Sequence, residues 1–236
     1  MRIRSALFSV GYAFLTFIIS SLVILLFWML PAKRRFYLYA LWCRLVVWWL
    51  RITCGVSYEI IGLENIPDKP VIALSNHQST WETIFLYQLL TPVCPILKKE
   101  LLSIPFWGWA LRLQKPIAID RSKPREAGKS LLLQGADRLS KGISILVFPE
   151  GTRASAGKLG KFSRGGAQLA AATETDILPI LHNAGNCWPA RQGHKTPGKI
   201  TVIIGKPMPT AGKHSKELAA EFQNWIEENK SAVGIE

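Results

Sequence analysis

Residues Leu7 to Leu30 form an almost unbroken apolar run, interrupted by small or hydroxyl residues such as Ser9, Gly11, Thr16, Ser20 and Ser21. Arg2 and Arg4 precede it, and Lys33, Arg34 and Arg35 follow it. At about 1.5 Å per residue, such a run can cross the roughly 30 Å hydrocarbon core of a bilayer. Met1-Arg2-Ile3-Arg4 also resembles the basic start of a cleaved secretory signal, but the run is too long for one and no small-x-small site precedes a mature sequence. It reads as a retained membrane segment. Basic residues on both sides leave its orientation open, and a re-entrant hairpin fits as well as a full crossing.

The next stretch, Phe36 to Trp49, is dense in Tyr37, Tyr39, Trp42, Trp48 and Trp49, with Arg44 and Arg51 among or just after them. Amphipathic aromatics with flanking cations suit the headgroup layer. The chain therefore divides into membrane-anchoring helices over residues 1–55, one inserted and one interfacial, and a second domain over residues 56–236. A net charge of +13 calls for an acidic partner: nucleic acid, anionic lipid, or a phosphorylated substrate with an acidic carrier. No zinc spacing, basic helical repeat or nucleic-acid module accompanies the charge, so nucleic acid is excluded in favour of membrane lipid. Cys43, Cys54, Cys94 and Cys187 show neither CxxC spacing nor His clusters, so they read as buried small hydrophobes and no metal site is expected.

Beyond residue 55, short apolar runs alternate with helical patterns. Strands are expected at Val56 to Ile61, Val71 to Leu74, Val93 to Leu97, Pro116 to Ile119, Ile143 to Phe148, Ile177 to Leu181 and Thr201 to Ile204. Helices are expected at Thr80 to Leu90, from Pro124 towards Gly142, at Gly165 to Ala172 and at His214 to Lys230. Several apolar runs end in polar residues, the pattern of an α/β sheet with a site at its strand ends.

Those ends carry chemistry. The first apolar strand delivers His77, followed five residues later by Glu82. An imidazole can take a proton from an alcohol near neutral pH, and a carboxylate can fix its tautomer. Ser79-x-x-Glu82 equally fits a helix capping box, and a lone His is commonly structural. Two further strand ends supply Arg121 and the segment Glu150-Gly151-Thr152-Arg153. Guanidinium holds phosphate through a bidentate fork, although a surface ion pair between Glu150 and Arg153 also accounts for those two residues. His182 follows a later strand without a carboxylate nearby in sequence and reads as structural or pocket-lining.

Asn76-His77-x4-Glu82 resembles the first motif of the glycerolipid acyltransferases. Ile117-Ala118-Ile119-Asp120-Arg121 resembles the second, Phe148-Pro149-Glu150-Gly151-Thr152-Arg153 the third and Leu178-Pro179-Ile180 the fourth. Their order and spacing are similar to those of the bacterial 1-acyl-sn-glycerol-3-phosphate (lysophosphatidate) acyltransferase family, from about Gly62 to Pro207. The family usually has Asp where this chain has Glu82, whose carboxylate reaches one methylene further.

The resemblance implies a mixed sheet flanked by helices, with an N-terminal membrane-anchoring helical pair. It implies transfer of a fatty acyl group from acyl carrier protein or coenzyme A to the sn-2 hydroxyl of a lysophosphatidate acceptor, giving phosphatidate on the cytoplasmic face of the cell inner membrane. His77 would be the base and Glu82 its orienting carboxylate. Arg121 and Arg153 would hold the glycerol phosphate, with Glu150, Gly151 and Thr152 in the same pocket, and the basic loop of Lys158, Lys161 and Arg164 would lie beside the phosphate or the donor. No cofactor is expected, because a thioester is already activated. Two alternatives stand beside this reading: acylation of another lysolipid, such as a lyso-ornithine lipid or a lysophospholipid, and a non-catalytic membrane lipid-binding protein.

Overall fold

Two long helices open the chain, α1 (Arg2–Leu26) and α2 (Ala32–Cys54). They come from a computed structural model that describes residues 1–120, 122–190 and 192–235, apart from the side chains of Ala32, Lys33 and Pro124. Gly55 ends α2 at φ 70°, a left-handed cap whose N–H donates to the Arg51 carbonyl, and a residue with a Cβ would be strained there. Seven strands then form one sheet: β1 (Val56–Ile61), β2 (Ile72–Ser75), β3 (Val93–Lys98), β4 (Ile117–Ile119), β5 (Ser144–Val147), β6 (Ile177–His182) and β7 (Gly198–Ile204). Their spatial order is β1-β7-β6-β2-β5-β3-β4. Pairing is parallel from β6 to β4 and between β1 and β7, but antiparallel between β6 and β7. A five-stranded parallel body thus carries a reversed two-stranded edge, making the sheet mixed, as the resemblance implied.

Residue alternation at β2 explains why helices cover both faces. Val71 and Ala73 enter the core shared with α1, α2, α3 (Trp81–Leu89) and α4 (Trp107–Leu113). Ile72 and Leu74 enter the core shared with α5 (Pro124–Ser140), α6 (Gly165–Thr173) and α7 (Ser215–Asn229). A strand buried on both faces reads as a continuous apolar run.

The aromatic segment departs from its expected place. Tyr39, Trp42, Cys43, Val46 and Leu50 of α2 are buried, and Tyr39 packs edge-on against Tyr87 of α3 at 4.6 Å. A second stripe, Tyr37, Leu41, Trp48 and Ile52, faces outward. The helix therefore has two apolar faces, one for the core and one for its surroundings, and aromatics populate both. Helix α1 is apolar and long enough to cross a bilayer, and most of it is exposed. Its inner side still packs on the protein along its length. Ser5 Oγ accepts the Lys195 N–H at 2.8 Å, Phe8 meets Trp188 edge-on at 5.1 Å, and Phe17 meets Phe106 at 4.8 Å. Gly11 permits the close approach of α2, since a Cβ there would lie 2.1 Å from Trp49 Nε1.

Candidate active site

Strands β6, β2 and β5 are neighbours and run the same way, so their carboxyl ends converge on one rim. From β2 the chain passes through buried Asn76 to His77 before α3 begins. From β5 it passes through Phe148 and Pro149 to Glu150. The His77 ring stacks on the Phe148 ring at 4.2 Å between centroids and 18° between planes.

Glu82, fully buried in the first turn of α3, points one oxygen back along the chain. Its Oε1 lies 2.8 Å from His77 Nδ1 and accepts the backbone N–H groups of Gln78 at 2.9 Å and Ser79 at 2.7 Å. Ser79 Oγ in turn accepts the Trp81 N–H at 3.0 Å. The bond from the Ser79 N–H to Glu82 is one half of a capping box, while the Ser79 hydroxyl takes the N–H of Trp81 in place of that of Glu82, so one carboxylate oxygen both holds the entry to the helix and faces the imidazole. An ionised carboxylate can only accept, so it selects the tautomer with hydrogen on Nδ1 and leaves Nε2 with its lone pair. Nε2 has no partner among the described residues, and the His77 side chain remains 14% exposed.

Burial pushes the Glu82 carboxyl up. The neighbouring His182 and His77 rings and the Ser79 N–H pull it down, and the pull prevails, leaving it below the ordinary carboxylate range. Glu150 shows the opposite balance: burial raises it despite the N–H groups of His77 and Gly160. Its Oε1 accepts the His77 N–H and its Oε2 the Gly160 N–H, both at 2.7 Å. The carboxylate of Glu150 is thus committed to the backbone around His77, and no ion pair with Arg153 forms among the described residues.

Gly151 follows in a turn at φ 68°, Thr152 is exposed, and Arg153 is half-buried with its Nε buried and unpartnered. The Ala154 N–H donates to the His77 carbonyl at 2.8 Å, which ties this loop to His77. Arg121 lies outside the described residues. Asp120, just before it, borders an open cleft of about 700 Å³ that also touches Lys99, Arg112 and Gln134 but neither His77 nor Glu82. The basic loop is stapled to the same rim. Gln78 Nε2 donates to the Lys158 carbonyl at 2.9 Å and the Ser163 N–H to the Pro149 carbonyl at 2.8 Å, while the Lys158, Lys161 and Arg164 side chains are exposed.

A histidine paired with a buried carboxylate at the carboxyl rim of a parallel sheet, with a guanidinium in the adjoining loop, is an arrangement able to take a proton from a hydroxyl beside a bound anion. The comparisons give the family. The family model described as Acyltransferase matches residues 57–183. The chain is 45% identical over 235 residues to a 1-acyl-sn-glycerol-3-phosphate acyltransferase of Pseudomonas aeruginosa, covering 98% of this chain and 91% of that one. It is 33% identical to a chloroplastic 1-acyl-sn-glycerol-3-phosphate acyltransferase of Arabidopsis thaliana, over 84% of this chain and 55% of the relative. The crystal structure of the 1-acyl-sn-glycerophosphate (LPA) acyltransferase from Thermotoga maritima shares the fold, with a TM-score of 0.82 at 24% identity over 98% of this chain and 96% of that one. This chain belongs to the acyltransferase family, among the 1-acyl-sn-glycerol-3-phosphate acyltransferases.

Proposed function

We propose that this protein transfers a fatty acyl group from a thioester of acyl carrier protein or coenzyme A to the sn-2 hydroxyl of 1-acyl-sn-glycerol 3-phosphate, giving phosphatidate. The observation that carries the reading is the 2.8 Å contact between His77 Nδ1 and Glu82 Oε1, which leaves Nε2 as the base. As the hydroxyl oxygen attacks the thioester carbonyl carbon, its proton passes to Nε2. The tetrahedral adduct then expels the thiolate, the C–S bond breaks, and the proton leaves His77 for sulfur, giving ester and free thiol. Glu82 stabilises the imidazolium between these steps.

Arg153 is our choice for the acceptor phosphate, because its guanidinium lies in the loop tied to His77 and its buried Nε lacks a partner. Arg121 is assigned to the same phosphate by the motif alone. Gly151 and Thr152 belong to this binding loop. For Glu150 the two backbone bonds support a supporting role behind the base in place of direct contact with substrate. Neither a metal nor another cofactor enters these steps.

The protein is read as acting at the cytoplasmic face of the cell inner membrane. Because α1 touches the domain through Ser5 near its start and through Phe17 past its middle, we read it as held against the protein with its outer face, including Ile3, Leu7, Val10 and Phe14, in hydrocarbon. The test is a purified-enzyme assay crossing both thioester donors with lysophosphatidate and lysolipids of other headgroups. Preferred acylation of lysophosphatidate is expected. Preference for a lyso-ornithine lipid or a larger headgroup would replace the acceptor, and absence of transfer from either donor would reject the enzyme.

A further inference from the structure

His182 is the last residue of β6, fully buried, and 106 residues from Asn76 in sequence. The two nonetheless share three hydrogen bonds. The Asn76 side chain completes the ladder beyond the end of β2: its Oδ1 accepts the His182 N–H at 3.0 Å and its Nδ2 donates to the His182 carbonyl at 2.9 Å. The third bond joins ring Nε2 to the Asn76 carbonyl at 3.0 Å. A fourth contact fixes the proton. The Ala184 N–H donates to His182 Nδ1 at 3.2 Å, so Nδ1 is the acceptor and Nε2 carries the hydrogen it gives to Asn76. Both ring nitrogens of the neutral imidazole are satisfied, in keeping with burial pushing its pKa down.

The carbonyl this ring holds belongs to the peptide that leads into His77. The other side of that peptide is held too, since the His77 N–H donates to Glu150 Oε1 at 2.7 Å. We propose that His182 is a positioning residue: its Nε2–H locks the Asn76–His77 peptide plane and so sets the approach of the His77 ring to Glu82. The ring lies behind the base and touches no substrate. This inference deepens the acyl-transfer reading and rests on it. Misplacement of a reacting group by about 1 Å can cost about a hundredfold in rate, so a peptide lock of this kind falls on turnover and leaves substrate affinity alone.

Two substitutions separate the lock from general packing. Both keep the two bonds made by the backbone of residue 182. In His182→Gln the amide nitrogen can occupy the place of Nε2 and donate to the Asn76 carbonyl. In His182→Asn the shorter amide reaches only the place of Nδ1. The expected result is a kcat about a hundredfold lower in His182→Asn, unchanged KM for acceptor and donor, and rescue of most of the turnover in His182→Gln. Equal losses in the two variants, losses that track melting temperature, or a change confined to KM would overturn the proposal. The ¹⁵N spectrum of the unsubstituted protein gives a test that needs no variant. His182 should appear at neutral pH as the Nε2–H tautomer, and an Nδ1–H or doubly protonated ring would reject the lock. An inactive wild type would instead reject the acyl-transfer reading, leaving the spectrum to decide the hydrogen bond.

Discussion

Nδ1 of His77 lies 2.8 Å from Oε1 of Glu82, and the same oxygen holds the N–H groups of Gln78 and Ser79. The imidazole is thereby referenced to the first turn of α3, not merely to a flexible acid. Replacing His77 by Ala removes the proposed base and its stacking on Phe148 while the carboxylate keeps its two backbone donors. Turnover should fall by at least about 10²–10⁴-fold, with the protein still folded and still recovered in the membrane fraction. Near-normal turnover in detergent-solubilised His77→Ala would sink the mechanism.

Glu82→Gln separates the two duties of that oxygen. A Gln carbonyl can still accept from Gln78 and Ser79, and Gln is itself a capping-box residue, so the stability loss should stay near about 1 kcal/mol. The charge opposite His77 is lost, so activity should fall far more than stability. A large stability loss with activity largely kept would mean that capping is the main duty.

The same variant carries a pH signature. Because the folded Glu82 carboxyl sits below the ordinary range, the unfolded chain binds its proton first as pH falls. Its contribution to stability is therefore complete above the usual carboxylate value of about 4.3 and is lost as pH drops through the depressed folded value. The stability gap between wild type and Glu82→Gln should be constant near neutral pH and narrow as pH falls past about 4.3. Glu150 works in the reverse sense, losing stability as pH rises towards its raised value, so it cannot produce that narrowing. Denaturant titrations of both proteins across this range check it.

Much of this rim could be read from residue order alone, because buried strands announce themselves as short apolar runs and each run hands over to polar residues. His77, Glu150 and Arg153 were legible in that way. Long-range partnership was not. Nothing in the sequence links Asn76 to His182 or His77 to the Phe148 ring, since those contacts arise from β2 lying between β5 and β6, a strand order that no local pattern encodes. The partners of Glu150 were hidden for a related reason. A carboxylate beside an arginine looks like an ion pair, whereas backbone N–H groups of His77 and Gly160 bond both its oxygens. In α2, aromatics on two faces hid the stripe that enters the core.

Arg153→Lys tests the phosphate assignment. A lysine keeps one positive charge but replaces a planar fork with a compact point charge. KM for the acceptor should rise about tenfold, with kcat at saturating acceptor and KM for the thioester little changed. If acceptor saturation is unaltered and the donor KM rises instead, the loop serves the donor and the phosphate must be held elsewhere.

The outer face of α1 should govern membrane residence without governing chemistry. Val10 and Phe14 are 69% and 63% exposed, four residues apart on that face, and on the side of the helix opposite the contacts that Ser5 and Phe8 make with the domain. Introducing Asp at both positions places two charges where hydrocarbon is expected, at about 3 kcal/mol each near the centre of an inserted helix. The folded core loses nothing, because neither side chain packs inward. The double variant should shift from the membrane fraction towards the soluble fraction in flotation assays, while turnover on detergent-dispersed lysophosphatidate stays near wild type. Unchanged flotation would mean that the outward stripe of α2, through Tyr37, Leu41, Trp48 and Ile52, holds the protein to the bilayer by itself.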